Sequence, residues 1–154
     1  MKKSAGILLY RFTHNKPEIF LVHPGGPFWK NKDVGAWSIP KGEFDDDEEP
    51  LAAAIREFQE ETGAVIEGNF IALMQIKQKA GKLVYAWAVE GTIDATTIQC
   101  NTFEMQWPPG SGKKQTFFEV DKAAWFSIEE ARLKMNAAQA TLLDELLLKL
   151  EHLH

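Results

Sequence analysis

The chain has 154 residues, 45% hydrophobic and 25% charged, with a formal net charge of −5; its length suits a single domain, residues 1–154, and its balance excludes disordered, fibrous and membrane classes. The acidic charge argues against long nucleic acid, which binds through clustered Lys and Arg, and leaves a small-molecule partner as the expectation. A single cysteine, Cys100, excludes an internal disulfide and a multi-cysteine zinc site, which fits a reducing, cytoplasmic setting; no membrane partner is expected, and a monomer or homodimer is the expected state.

Along the chain, Lys2 and Lys3 precede an apolar run that Arg11 ends too early for a signal-peptide core, so no export is expected. "SAGILLYRF" and "EIFLVH" are β-rich runs on either side of "THNKP" and predict a hairpin. "PGGPFWKNKDVGAW" has no period and many Gly and Pro, the mark of a long functional loop, and a short strand is expected at "WSIP". A helix follows at about Asp47, its expected N-cap, with Pro50 in the first turn, Leu51, Ala54, Ile55 and Phe58 as the buried stripe, and Gly63 as the stop. "NFIALMQIKQ" and "KLVYAWAVEG" predict a second hairpin around "KAGK". Another strand, a Pro/Gly loop and a short strand at "AWF" lead to two closing helices. The first is "SIEEARLKM"; the second, within 137–150, carries Leu143, Leu146, Leu147 and Leu150 as its stripe.

The helix carries Glu57, Glu60 and Glu61 on one face near its C-terminal end. Like-charged neighbours three and four apart cost roughly 0.2–0.5 kcal/mol per pair. The macrodipole there is negative, so each anion also forgoes on the order of 0.3–1 kcal/mol. A compensating cation is therefore expected. Mg²⁺, with Mn²⁺ as the alternative, suits hard oxygen ligands shared with substrate phosphates, whereas a solvated acidic face is the reading that needs no ligand.

The spacing decides between them. From Gly42 the chain runs to Glu48, then Arg56-Glu57, then Glu60-Glu61 and Gly63, and this stretch, residues 42–64, resembles the Nudix hydrolase signature. Phe58 and Ala64 stand where that family usually has an aliphatic residue, a difference of packing rather than chemistry. "WSIPKGE" and "EVDKAAWFSIEEA" resemble the flanking segments of such domains, and the whole is similar to a bacterial group of predicted nucleotide pyrophosphohydrolases. The resemblance implies an α/β/α sandwich, an α+β fold with a mixed sheet between helices. It also implies Mg²⁺-dependent cleavage of a diphosphate linkage in a nucleoside diphosphate joined to another moiety, such as a nucleoside triphosphate or a dinucleoside polyphosphate. "IPKGE" resembles the segment of dinucleoside polyphosphate hydrolases in the family. A nucleotide-binding regulator on a catalytically idle fold, and a cap-type or diphosphoinositol hydrolase, are the alternatives.

By the same resemblance Glu57, Glu60 and Glu61 hold metal, the carbonyl of Gly42 approaches it, and Arg56 and Glu48 orient the loop-helix-loop. Glu57 or Glu119 then serves as base, with Asp121 a weaker competitor for Glu119. Lys41 is a candidate phosphate contact, and Trp29, Phe28, Tyr85 and Trp107 are candidates for stacking on a base, worth on the order of 1–3 kcal/mol. His23 reads as structural, and His152 and His154 as a tail. "PGSGKK" is not a phosphate loop, because it lacks the upstream glycine at Trp107, the hydroxyl after the lysine and a following helix.

Overall fold

A computed structural model describes residues 2–78 and 81–153, with residues 152 and 153 described by their backbone only. Lys79 and Ala80 of the expected second turn, the side chain of His152 and all of His154 lie outside the described residues. Strands β1 (Lys3–Thr13) and β2 (Lys16–Pro24) form the expected hairpin. His14 and Asn15 both take left-handed backbone, φ 53° and 65°, the two-residue turn whose twist matches that of the flanking strands.

Strand β3 (Lys41–Glu43) pairs with β1, and helix α1 (Pro50–Thr62) follows it. The second hairpin joins short β4 (Ile71–Ala72) and β5 (Ile76–Lys77) to β6 (Leu83–Glu90). A separate hairpin, β7 (Thr102–Gln106) with β8 (Lys114–Phe118), precedes β9 (Val120–Ser127), and helices α2 (Ile128–Lys134) and α3 (Thr141–Leu153) close the chain. The large sheet runs β4-β6-β1-β2-β9, with β3 on β1 and β5 on β6. Among the described residues, β1–β6 is the one parallel strand pair of this sheet, so the sheet is mixed.

Central β1 reads as a continuous apolar run because both its faces are covered. Ala5, Ile7 and Leu9 pack with Ala53, Ala54 and Phe58 of α1 on one face; Leu8 and Tyr10 pack with Leu142, Leu143, Leu146 and Leu150 of α3 on the other. The result is a sheet between helices, as expected. No helix among the described residues is long and apolar enough to cross a membrane.

Several local expectations shift. Trp37 and Ser38 make only isolated bridges, and the paired strand falls at Lys41–Glu43 instead. The N-cap is Glu49 rather than Asp47: its carboxylate accepts from the N–H groups of Leu51 and Ala52, directly before Pro50 at the first helical position. Leu51 and Ile55 are half-buried, and Ala53 joins Ala54 and Phe58 in the core. On α3, Leu142 takes the buried place expected of Leu147. Gly63 does end α1, at φ 81°, with its N–H on the carbonyl of Gln59.

Candidate active site

The acidic end of α1 lies against β3. Glu57 is buried, and its carboxylate presses on Cα of Gly42, so a Cβ at position 42 would overlap it. Glycine is required there by the approach of an acid, a reason additional to the free carbonyl suggested by the sequence. Arg56 forks onto Glu48, with Nε donating to Oε2 at 2.7 Å and Nη2 to Oε1 at 2.9 Å. Its Nη1 donates to Glu57 Oε1 at 2.8 Å and to Glu60 Oε2 at 3.1 Å. Such planar, charge-assisted pairs fix direction as well as distance. Glu61 instead accepts the backbone N–H of Lys41 at 2.9 Å.

One guanidinium does not neutralise this cluster. Burial, followed by the charges of Glu60 and Glu119, drives Glu57 toward protonation against the pull of Arg56. Burial and the neighbouring Glu57 push Glu61 up to about 8. Burial and Glu60 raise Glu119 as well, while Arg56 holds Glu48 below the usual carboxylate range. The ammonium of Lys41 is depressed by burial and by Lys82, although Glu61, Glu43 and Glu57 oppose that shift.

Glu119 reaches this group through a chain of backbone hydrogen bonds. The N–H of Asn101 donates to the carbonyl of Glu60 at 3.0 Å, the N–H of Glu119 to that of Asn101 at 3.0 Å, and the N–H of Gly25 to that of Glu119 at 2.9 Å. Its backbone is thus pinned on both sides rather than carried by a free loop. Glu119, Glu61, Lys41 and Trp29 line one cleft of about 230 Å³ together with Asn136 and Gln139.

His23, fully buried, fixes the loop that carries Trp29. Its Nδ1 lies 2.8 Å from Asp121 Oδ1 and its Nε2 2.6 Å from the carbonyl of Lys32, so it is structural, and it occupies Asp121. Tyr85 is not at the cleft; alternation on β6 places it edge-on to Phe44, with ring centres 5.7 Å apart. Phe28 and Trp107 likewise lie outside and meet edge-on at 5.4 Å. "PGSGKK" is the turn of the β7–β8 hairpin. Gln139 carried no sequence signal: it is buried, accepts from the N–H of Ile39 and donates to Ser38 Oγ, tying the cleft floor to the start of α3. An isolated glutamine before a helix belongs to no spaced motif.

The donor set fits a hard divalent cation. Four carboxylates, Glu57, Glu60, Glu61 and Glu119, lie in electrostatic contact, with one guanidinium among them, and burial together with their mutual charge raises the proton affinity of Glu57, Glu61 and Glu119. Among the described residues no three His, Cys, Asp or Glu side chains form a ready-made cage.

A family model described as NUDIX domain matches residues 2–146. Nudix hydrolase 25 of Arabidopsis thaliana is 58% identical over 31 residues, which are 20% of this chain and 18% of that protein. The match therefore spans under a fifth of the curated relative. The C. elegans Ap4A hydrolase, solved as a binary complex, superposes with a TM-score of 0.69 at 24% identity, covering 97% of this chain and 98% of that one. The NUDIX domain of Shewanella oneidensis NrtR, cocrystallised with ADP ribose, gives 0.66 at 15% identity, covering 96% and 87%. At these identities the likeness is one of fold.

Proposed function

Because this chain belongs to the NUDIX domain family, we propose that it is a divalent-metal-dependent hydrolase cleaving a diphosphate linkage in a nucleoside diphosphate joined to another moiety, such as a nucleoside triphosphate or dinucleoside polyphosphate. The observation that carries this reading is the undercompensated pair of buried Glu57 and half-buried Glu61, with Glu61 and Glu119 lining a cleft that also holds Lys41 and Trp29. Glu57, Glu60 and Glu61 would hold the ion, Mg²⁺ or Mn²⁺, together with the carbonyl of Gly42. When bound, such an ion neutralises phosphoryl oxygens and acidifies a coordinated water.

The chain's own residues divide the remaining work. Arg56, locked to Glu48, keeps Glu57 and Glu60 aimed and limits their mutual repulsion. Glu119 is the group we assign to accepting the proton of the attacking water, since its backbone is fixed and its carboxyl has a raised proton affinity. Glu57 is the competing base. Lys41 offers a cation to phosphate, and Trp29 offers a ring face to a base. Support from known proteins is limited to their printed ligands: an Ap4A hydrolase and a domain holding ADP ribose both concern a nucleoside on a phosphate chain.

The test is a panel of nucleoside triphosphates, dinucleoside polyphosphates and nucleotide sugars, incubated with Mg²⁺ or Mn²⁺ and read by product mass. Metal-dependent release of a nucleotide with an intact glycosidic bond is expected. Absence of turnover across the panel with both metals would sink the assignment.

A further inference from the structure

Strand β9 carries an irregularity next to Glu119. Its pairing with β2 runs regularly to His23 opposite Lys122 and resumes with Pro24 opposite Val120, so Asp121 is the extra residue of a β-bulge. A bulge interrupts alternation and re-aims a side chain. Both effects are present here. Val120 packs in the same cluster as Ala123 and Trp125, although strict alternation would turn it to the other face. Asp121, left out of the ladder, meets Nδ1 of His23 at 2.8 Å.

His23 carries that contact into the long loop. Its ring is fully buried and edge-on to Trp37, and its Nε2 donates to the carbonyl of Lys32, which can only accept. The N–H of Lys32 in turn donates to the carbonyl of Trp29 at 2.9 Å, and the Lys32 ammonium lies 5.2 Å from the centre of the Trp29 ring. Lys32 therefore holds Trp29 through backbone and side chain, and His23 holds Lys32. One imidazole thus joins the turn that carries Trp29 to the bulge just beyond Glu119, and Trp29 and Glu119 line the same cleft. Packing alone would ask for an apolar side chain between Trp37 and the sheet. Two directional bonds are needed where the loop must keep a fixed distance from β9.

We propose that His23 is a positioning residue that fixes the separation of Trp29 from Glu119 and so selects which phosphorus of the substrate chain is attacked. This rests on the reading of the cleft as a diphosphate hydrolase site, in which a nucleobase stacks on Trp29 and Glu119 takes the proton of the attacking water. A phosphate chain repeats the same chemistry at every unit, so distance from the stacked ring is what tells one phosphorus from the next. With the ring held at one point and the proton acceptor at another, only the phosphorus at the matching distance meets the water. The water oxygen bonds to that phosphorus, the bridging P–O bond breaks, the bridging oxygen leaves with its own phosphate, and the proton passes to Glu119.

The test follows adenosine triphosphate and diadenosine tetraphosphate, each turned over with Mg²⁺ in heavy-oxygen water, and reads by product mass which bond breaks and which fragment gains the label. Wild type is compared with His23→Phe, which keeps a ring against Trp37 but loses both bonds. The second variant, Asp121→Ala, cuts the clasp at a side chain that is 38% exposed. Misplacement by about 1 Å is worth on the order of 10²-fold in rate, so wild type should favour one position by about 100-fold or more, and both variants should bring the ratio of positions within about tenfold. Melting temperatures show whether each variant is folded, and Asp121→Ala carries the test if His23→Phe is not. Cleavage confined to the wild-type position in the folded variants would overturn the positioning role and leave the hydrolase reading intact. So would a wild type that already cleaves at two positions, or an Asp121→Ala protein that loses turnover altogether. If wild type turns over neither compound, the positioning role is overturned, and the broader substrate panel decides the hydrolase reading separately.

Discussion

The acidic end of α1 and the aromatic rim formed by the long loop and the β7–β8 hairpin are neighbours built by opposite means. At the first, buried Glu57 and its half-buried acidic neighbours are held by an arginine fork, a glycine contact and a backbone donor, and the arrangement is electrostatically unfavourable. At the second, large rings stand in solvent on a hairpin outside the main sheet. The first carries strain in charge, which on the proposed function substrate and ion relieve, and it is therefore expected to act on rate. The second carries exposed apolar area and no charged cluster, so it is expected to act on stability and affinity rather than on rate. Substitutions in the two regions should therefore separate in kcat, stability and KM.

The largest separation should come from Glu57→Gln and Glu119→Gln, which keep shape and remove charge. Each should lower kcat by about 10²–10⁴-fold, the usual range for a general acid-base contribution, with little change in KM. If Glu119→Gln stays within a few-fold of wild type while Glu57→Gln is inactive, the base role returns to the helix. Asp121→Asn is no neutral control, since Asp121 holds buried His23.

Next in size are Arg56→Ala and Glu48→Gln, read by thermal melting. Deep burial would make a broken pair cost 3–5 kcal/mol, but the Arg56 side chain is 38% exposed, so solvent screening cuts this to about 1–3 kcal/mol. Unchanged melting in both variants would remove the fork from the account.

Glu61→Gln should move stability the other way. The folded-state value of Glu61 is raised to about 8, so its contribution is fully present below the unfolded value near 4.5 and is lost as pH rises through about 8. Without added metal, Glu61→Gln should therefore melt higher than wild type at pH 8.5 and equal to it near pH 4. Each kcal/mol moves the midpoint by about 2–4 °C at this length. A variant that is equally or less stable at pH 8.5 would show that Glu61 is not charge-stressed. Smallest of these effects, Trp29→Ala should raise KM by roughly tenfold and leave kcat near wild type, as loss of one stacking face implies; a purely kcat effect would place Trp29 elsewhere.

The same contrast explains what the sequence disclosed. Within α1 the spacing is local, so the shared face of Glu57, Glu60 and Glu61 and the stop at Gly63 were legible from helical period and turn chemistry. The N-cap was not, because the acidic run from Asp45 to Glu49 offers several candidate carboxylates and only the backbone selects Glu49. The contact between Gly42 and Glu57 joins β3 to the helix across fifteen positions, a tertiary approach that no local pattern encodes. Tyr85 looked like Trp29 as a side chain, but strand alternation and β3 pairing turned it to Phe44. Proximity of Glu119 came from family likeness alone, and the backbone relay through Asn101 supplies its physical cause.

A divalent cation at the acidic end of α1 should show when wild type, Glu57→Gln and Glu61→Gln are melted in a Mg²⁺ titration at pH 8. Binding to the folded state alone adds about 2.7 kcal/mol at a hundredfold excess over Kd, a rise of roughly 5–10 °C in wild type. That rise is expected in wild type and is lost in both variants. An unchanged wild-type midpoint, or equal rises in all three proteins, would contradict it.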